Sequence, residues 1–89
     1  MTYYVYILRC ADNSLYCGIT NNLEKRLNEH NSDGPKGAKY LRTKRPVTIV
    51  YTEKHPDRSA ALKREYEIKQ LSKSKKESLV ATYVTPGVT

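Results

Sequence analysis

The chain opens on a run of β-branched and aromatic side chains, Tyr-Tyr-Val-Tyr-Ile-Leu-Arg-Cys over residues 3–10, which predicts a strand. Ala11-Asp12-Asn13-Ser14 has turn chemistry, and Leu-Tyr-Cys-Gly-Ile over 15–19 predicts a second strand. Asn21 or Asn22 can cap a helix over about residues 22–31, on which Leu23 and Leu27 mark one apolar face. Residues 32–46 are polar and basic, with Gly34, Pro35, Gly37 and Pro46, and read as a loop. Residues 47–53 alternate only in part and predict a third strand. Pro56, Asp57 and Ser59 open a helix that runs to about Leu71. Ser74-Lys75-Lys76-Glu77 has the form of a capping box for a short helix ending near Ala81. Pro86-Gly87 lies in a polar end, so the expected organisation is one domain over 1–82 and a flexible tail over 83–89. The order ββαβαα predicts a small α/β or α+β fold, a three-stranded antiparallel sheet flanked by helices.

The register of the first hairpin decides which side chains meet. Asn13 tolerates the left-handed backbone region, which favours a three-residue loop of Ala11, Asp12 and Asn13. Cys10 then faces Ser14, Leu8 faces Tyr16, and Tyr6 faces Gly18. With a side-chain period of two, Tyr4, Tyr6, Leu8, Tyr16 and Gly18 share one face, and Val5, Ile7, Leu15, Cys17 and Ile19 share the other. The second set is a core face. The first places two phenols beside a residue with no side chain, leaving room at Gly18 for another backbone to approach. A two-residue turn would slip the register by one and separate the tyrosines.

Charge narrows the partners. Sixteen Lys and Arg against nine Asp and Glu give a net charge of +7, which favours a polyanion, either nucleic acid or an anionic membrane surface. No apolar run approaches the roughly 18 residues of a membrane span, and the first residues lack the pattern of a signal peptide, so a cytoplasmic location is expected. Cys10 and Cys17 are too few for a disulfide scaffold and not in zinc spacing; buried, reduced thiols are expected. Eight Tyr and no Phe suggest that hydroxyls are needed, or that the rings sit half-exposed on strands. Lys36, Lys39, Arg42, Lys44 and Arg45 surround Tyr40 with no acid among them. This is either a solvated loop or a phosphate-tracking one in which Tyr40 stacks on a splayed base. No base-reading module is evident, so recognition by shape and backbone is the expectation.

Two further positions stand out. Arg26 and His30 are four apart on the first helix and share a face, at the edge of the side marked by Leu23 and Leu27. A guanidinium there can fork onto a phosphate, or remain solvated. His30 can bond a phenol or a phosphate, act as a base near neutral pH, or serve as a C-terminal helix cation. Ala61, Glu65 and Ile68 are spaced i, i+4, i+7, which puts a carboxylate in or beside an apolar stripe. Such a carboxylate is metal-bound, at a rim, or paired with an arginine such as Arg26.

Tyr4-Val5-Tyr6 followed by Tyr16-Cys17-Gly18 resembles the paired tripeptides of the GIY-YIG nuclease superfamily. Arg26 and Glu65 fall where that family has a helix arginine and a metal-binding glutamate. The wider context, including Arg-Leu-Asn-Glu-His-Asn, Gly-Ala-Lys-Tyr and Arg-Glu-Tyr-Glu-Ile-Lys, is similar to small stand-alone bacterial members over about residues 3–81. Those members resemble the nuclease domain of structure-specific endonucleases. The resemblance implies a metal-dependent DNA endonuclease of repair or recombination, acting on branched or damaged DNA. It implies one divalent ion, Mg²⁺ or Mn²⁺, on Glu65. It further implies Tyr6 and Tyr16 near the attacking water and Arg26 on the scissile phosphate. The shared strand face and the edge positions on two helices lead to the expectation that Tyr6, Tyr16, Arg26 and Glu65 converge on one concave surface. The chain departs from the pattern in two places. Tyr4 stands where the name has glycine, and no asparagine follows Asn31, where some branches carry a late one. No second DNA-binding domain is expected, which leaves target selection open, a protein partner that supplies targeting being one expectation. The competing reading is a non-catalytic nucleic-acid-binding or repair-accessory module with the same fold.

Overall fold

The computed structural model describes residues 1–32 and 36–83. Its elements are β1 (Tyr3–Arg9), β2 (Leu15–Thr20), α1 (Leu23–His30), a 3₁₀ turn (Lys39–Leu41), β3 (Thr48–His55), α2 (Arg58–Lys69) and α3 (Lys73–Ala81). The three strands form one antiparallel sheet in the order β2-β1-β3, as the pattern predicts. The first strand is central and covered on both faces, which is why Val5, Tyr6, Ile7 and Leu8 are buried consecutively rather than alternately. β2 is left as an edge.

The hairpin has the expected register. Asn13 takes φ 70°, and Cys10 and Ser14 close the loop through a 2.9 Å bond from the Cys10 N–H to the Ser14 carbonyl. Tyr6 therefore pairs with Gly18 and Leu8 with Tyr16. One core sets Val5, Ile7 and Cys17 against Ala61 and Ile68 of α2, with Leu79 and Val80 of α3 at its margin. The other sets Tyr6, Leu8 and Cys10 against Leu41 and Val47, with Leu23 and Leu27 of α1 packed alongside. Leu41 is fully buried, so the segment read as a polar loop is anchored by an apolar residue.

Asn22 and Asp57 cap α1 and α2 through their side chains. The cap of α3 is Ser72, whose hydroxyl accepts from the Lys75 N–H, two residues before the expected capping box. Glu77 is taken instead by Arg9 in a two-pronged contact at 2.6 and 2.8 Å. A bidentate charged pair is a stronger bond than reaching back to a helix N–H. Tyr83, expected in the tail, is docked. Its ring lies 5.7 Å from that of Tyr51 and its hydroxyl accepts from Thr52 at 3.2 Å. Residues 33–35 of the predicted loop and 84–89 of the predicted tail lie outside the described residues. Among the described residues no helix is long and apolar enough to cross a membrane.

Candidate active site

Tyr6 and Tyr16 project from paired strands towards the last turn of α1. His30 closes that helix, is 2% exposed, and lies between the two rings, 6.0 Å from Tyr6 and 5.6 Å edge-on to Tyr16. Its Nε2 is 2.8 Å from the Tyr6 hydroxyl, and its Nδ1 accepts the Ala38 N–H at 3.0 Å. A neutral imidazole carries one proton. Because Nδ1 is an acceptor, that proton sits on Nε2 and is donated to the Tyr6 oxygen. Burial, assisted by the Arg26 charge, pushes the His30 pKa down to about 4. With both nitrogens engaged and the ring neutral at pH 7, His30 holds Tyr6 in place.

The segment beyond α1 makes this possible. A Cβ on Gly37 would lie 2.4 Å from the Glu29 carbonyl oxygen, so only glycine lets the chain come this close to the helix end and present the Ala38 N–H. Arg26 bonds Glu29 at 3.0 Å and the Lys36 carbonyl, tying the same segment from its other side. Its guanidinium also faces the Tyr6 hydroxyl. Burial nevertheless dominates there and pushes the Tyr6 pKa up to about 12.

Gly18 has a different purpose from the one expected. A Cβ there would lie 2.5 Å from the Tyr6 hydroxyl oxygen and 2.6 Å from its ring carbon. The space over Gly18 is occupied by the Tyr6 ring, so it is not open to an approaching backbone.

The His30 arrangement carries a pH signature. Unfolded, the imidazole titrates near 6.5; folded, near 4. The unfolded chain therefore binds more protons between these values, and stability falls as pH drops through that window. Thermal unfolding should show a lower melting temperature at pH 5 than at pH 7. His30→Gln should flatten the slope, and an equal slope in the variant would show that another group carries it.

Tyr16 is half-buried, and its hydroxyl has no hydrogen-bond partner among the described residues. Its ring is stacked by Tyr40 at 6.1 Å and 23°, and the Lys44 ammonium lies 5.0 Å from the Tyr40 ring centre. Lys44 is also paired with Asp12 of the hairpin, so the acid missing from the 36–45 segment is supplied across space. Lys36, Lys39 and Arg42 are exposed, while Arg45 is half-buried and donates to the Arg42 carbonyl at 3.2 Å.

Glu65 occupies the expected stripe. Ala61 and Ile68 are fully buried and the Glu65 side chain is 18% exposed. Its only ion-pair partner among the described residues is Lys69 at 3.5 Å; Arg26 is paired with Glu29 instead. Glu65 lies on the α2 side of the sheet, facing Cys17. Burial, then the Glu65 charge, push that thiol up to about 12. Tyr6, Tyr16, Arg26 and His30 thus cluster on the α1 side, and Glu65 rises from the α2 side. What joins the two sides is a cleft of about 270 Å³ around the edge strand β2. Tyr16 and Tyr40 line it from one side, Cys17 and Lys69 from the other.

Among the described residues no group of three or more His, Cys, Asp or Glu is placed to hold a metal. A lone carboxylate whose partner is a displaceable lysine does fit Mg²⁺, which keeps several waters and binds through one or two carboxylates plus substrate phosphates.

Comparison with known proteins places these features in context. Residues 2–78 match the GIY-YIG catalytic domain. A UPF0213 protein of Desulfotalea psychrophila is 56% identical over 78 residues, spanning 88% of this chain and 70% of that protein. One from Natronomonas pharaonis is 54% identical over 79 residues, spanning 89% of this chain and 91% of that protein. The solution NMR structure of a UPF0213 protein from Bacillus halodurans superimposes with a TM-score of 0.61 at 44% identity, covering 97% of this chain and 89% of the other.

Proposed function

The chain belongs to the GIY-YIG catalytic-domain family, and from that premise we propose that it is a divalent-metal-dependent DNA endonuclease that hydrolyses phosphodiester bonds. The observation that carries the reading is the Tyr6–His30–Ala38 chain of hydrogen bonds, with Arg26 and the unengaged hydroxyl of Tyr16 beside it. A purely structural cluster has no need for two phenols and a guanidinium around a neutral, fully engaged imidazole.

Hydrolysis adds water across one P–O ester bond: the water oxygen bonds to phosphorus, one proton leaves the water, and the departing oxygen gains one. Tyr6 is held as a phenol at neutral pH, with its oxygen occupied by the His30 Nε2–H. Its own proton is directed at a phosphoryl oxygen. Tyr16, whose hydroxyl has no hydrogen-bond partner among the described residues, meets the attacking water and takes the proton that water loses as its own hydroxyl proton passes to solvent, and a solvent water protonates the departing oxygen. Arg26, anchored through Glu29 and the Lys36 carbonyl, neutralises charge on the phosphoryl oxygens. Glu65 would hold the divalent ion, which would supply charge neutralisation at the reacting phosphate. Lys36, Lys39 and Arg42 track the flanking phosphates, with Lys44, Arg45 and Tyr40 behind them. A role in repair or recombination, on branched or damaged DNA and with a partner that supplies targeting, belongs to the same reading.

The test is a cleavage panel of branched, flapped, single-stranded and linear duplex DNA with Mg²⁺ or Mn²⁺, and with EDTA as the blank. Strand scission that requires the metal is the expected result. Binding without scission on every substrate and with either ion would establish the non-catalytic module instead.

A further inference from the structure

The cleft around the β2 edge has no assigned occupant. Its floor is apolar, formed by Ile7, Leu15 and Ile68. Its wall is the stacked pair Tyr16 and Tyr40, of which Tyr40 is 55% exposed. At its mouth stand two ammonium groups, Lys69 and Lys76, one from α2 and one from α3. Both line the same cleft as Cys17. The volume, about 270 Å³, falls just below the roughly 300–1,000 Å³ of sites for drug-sized ligands. An apolar floor, an aromatic wall and a cationic mouth match a flat heterocycle joined to an anion.

We propose that this cleft takes one unpaired nucleobase next to the scissile phosphate, so that the substrate is a strand with at least one base outside a duplex. The inference rests on the nuclease reading and specifies its substrate. A base inside a duplex is covered by its neighbours and its partner; it reaches a recessed cleft only after leaving the stack, which an unpaired base does at no such cost. Lys69 and Lys76 then contact the phosphates on either side of the base. The Tyr40 hydroxyl contributes little and its ring contributes most, because stacking on an aromatic face accepts any base.

Binding to fluorescent oligonucleotides, read by anisotropy in EDTA at fixed salt, tests this without any cleavage. A single strand is compared with its blunt duplex and with a strand of the same length whose central sugars carry no base. The base-free strand keeps the phosphates and should bind about 5- to 100-fold more weakly, the range expected for loss of base–aromatic stacking. Tyr40→Ala should erase the difference between the two strands, and Tyr40→Phe should preserve it. Lys76→Ala should weaken both strands alike and reduce the salt slope by about one. A ribonucleotide strand of the same sequence shows whether the sugar matters. Equal binding of normal and base-free strands, or a blunt duplex that binds as tightly as the single strand, overturns the proposal. A protein that binds in this graded way yet never cleaves with Mg²⁺ or Mn²⁺ retains the subsite and loses the nuclease reading.

Discussion

Glu65→Gln should lower metal-dependent cleavage by about 100- to 1,000-fold, the scale set by removing one electrostatic stabiliser of a reacting group. It should leave the fold nearly untouched. The only ion pair that Glu65 makes among the described residues is with Lys69 at 3.5 Å, one helical turn away. Helical i,i+4 pairs contribute about 0.3–0.5 kcal/mol, and the half-exposed Lys69 keeps this one near that scale. In a domain of this size such a change shifts the melting temperature by about 2–4 °C. A buried structural pair with Arg26 would have cost about 3–5 kcal/mol, but Arg26 is held by Glu29 and by the Lys36 carbonyl. DNA binding measured in EDTA should be unchanged or tighter, since a negative charge has been removed near the phosphates. Cleavage that survives in Glu65→Gln would remove Glu65 from the metal site. A melting temperature lowered by more than about 12 °C would instead make it a structural residue.

The side of the sheet from which Glu65 rises marks where sequence reasoning reaches its limit. Spacing located Glu65 in the Ala61–Ile68 stripe, because a helical period is local information. Which side of the sheet α2 covers depends on how the chain crosses after β3, and no spacing within α2 encodes that. The hairpin was legible for the opposite reason. Asn13 alone selects the loop, the loop selects the register, and the register brings Tyr6 opposite Gly18 and Leu8 opposite Tyr16. The segment from Lys36 to Arg45 reads as a cationic loop with no acid because its composition is polar. Leu41 anchors it in the core with Ala38 packed alongside, and Asp12 reaches Lys44 from 32 residues away. Gly37 was the one visible signal of the contact that fixes His30. It was read as loop punctuation because the surface it approaches, the end of α1, is not its neighbour in sequence. The role of Gly18 was misread in the same way: an absent side chain indicates close approach, but not which group approaches.

Gly18→Ala therefore tests the architecture of the site more sharply than any change to a reacting group. The added methyl carbon would lie 2.5 Å from the Tyr6 hydroxyl oxygen and 2.6 Å from the ring carbon that bears it. Tyr6 is 2% exposed and cannot swing out into solvent. The ring has to retreat by close to 1 Å to restore an ordinary contact, and overpacking of this kind costs about 1–3 kcal/mol. That corresponds to about 4–20 °C in melting temperature for a domain of this size. The retreat also stretches the 2.8 Å bond to His30 Nε2. Misplacement of a catalytic group by about 1 Å lowers rate by about 100-fold, so cleavage should fall further than stability alone explains. A double-mutant cycle separates the clash from any general intolerance of β2. In a Tyr6→Leu background the ring is gone, and Gly18→Ala should cost little additional stability. Equal destabilisation in both backgrounds would mean that the strand itself, and not the Tyr6 ring above it, requires glycine.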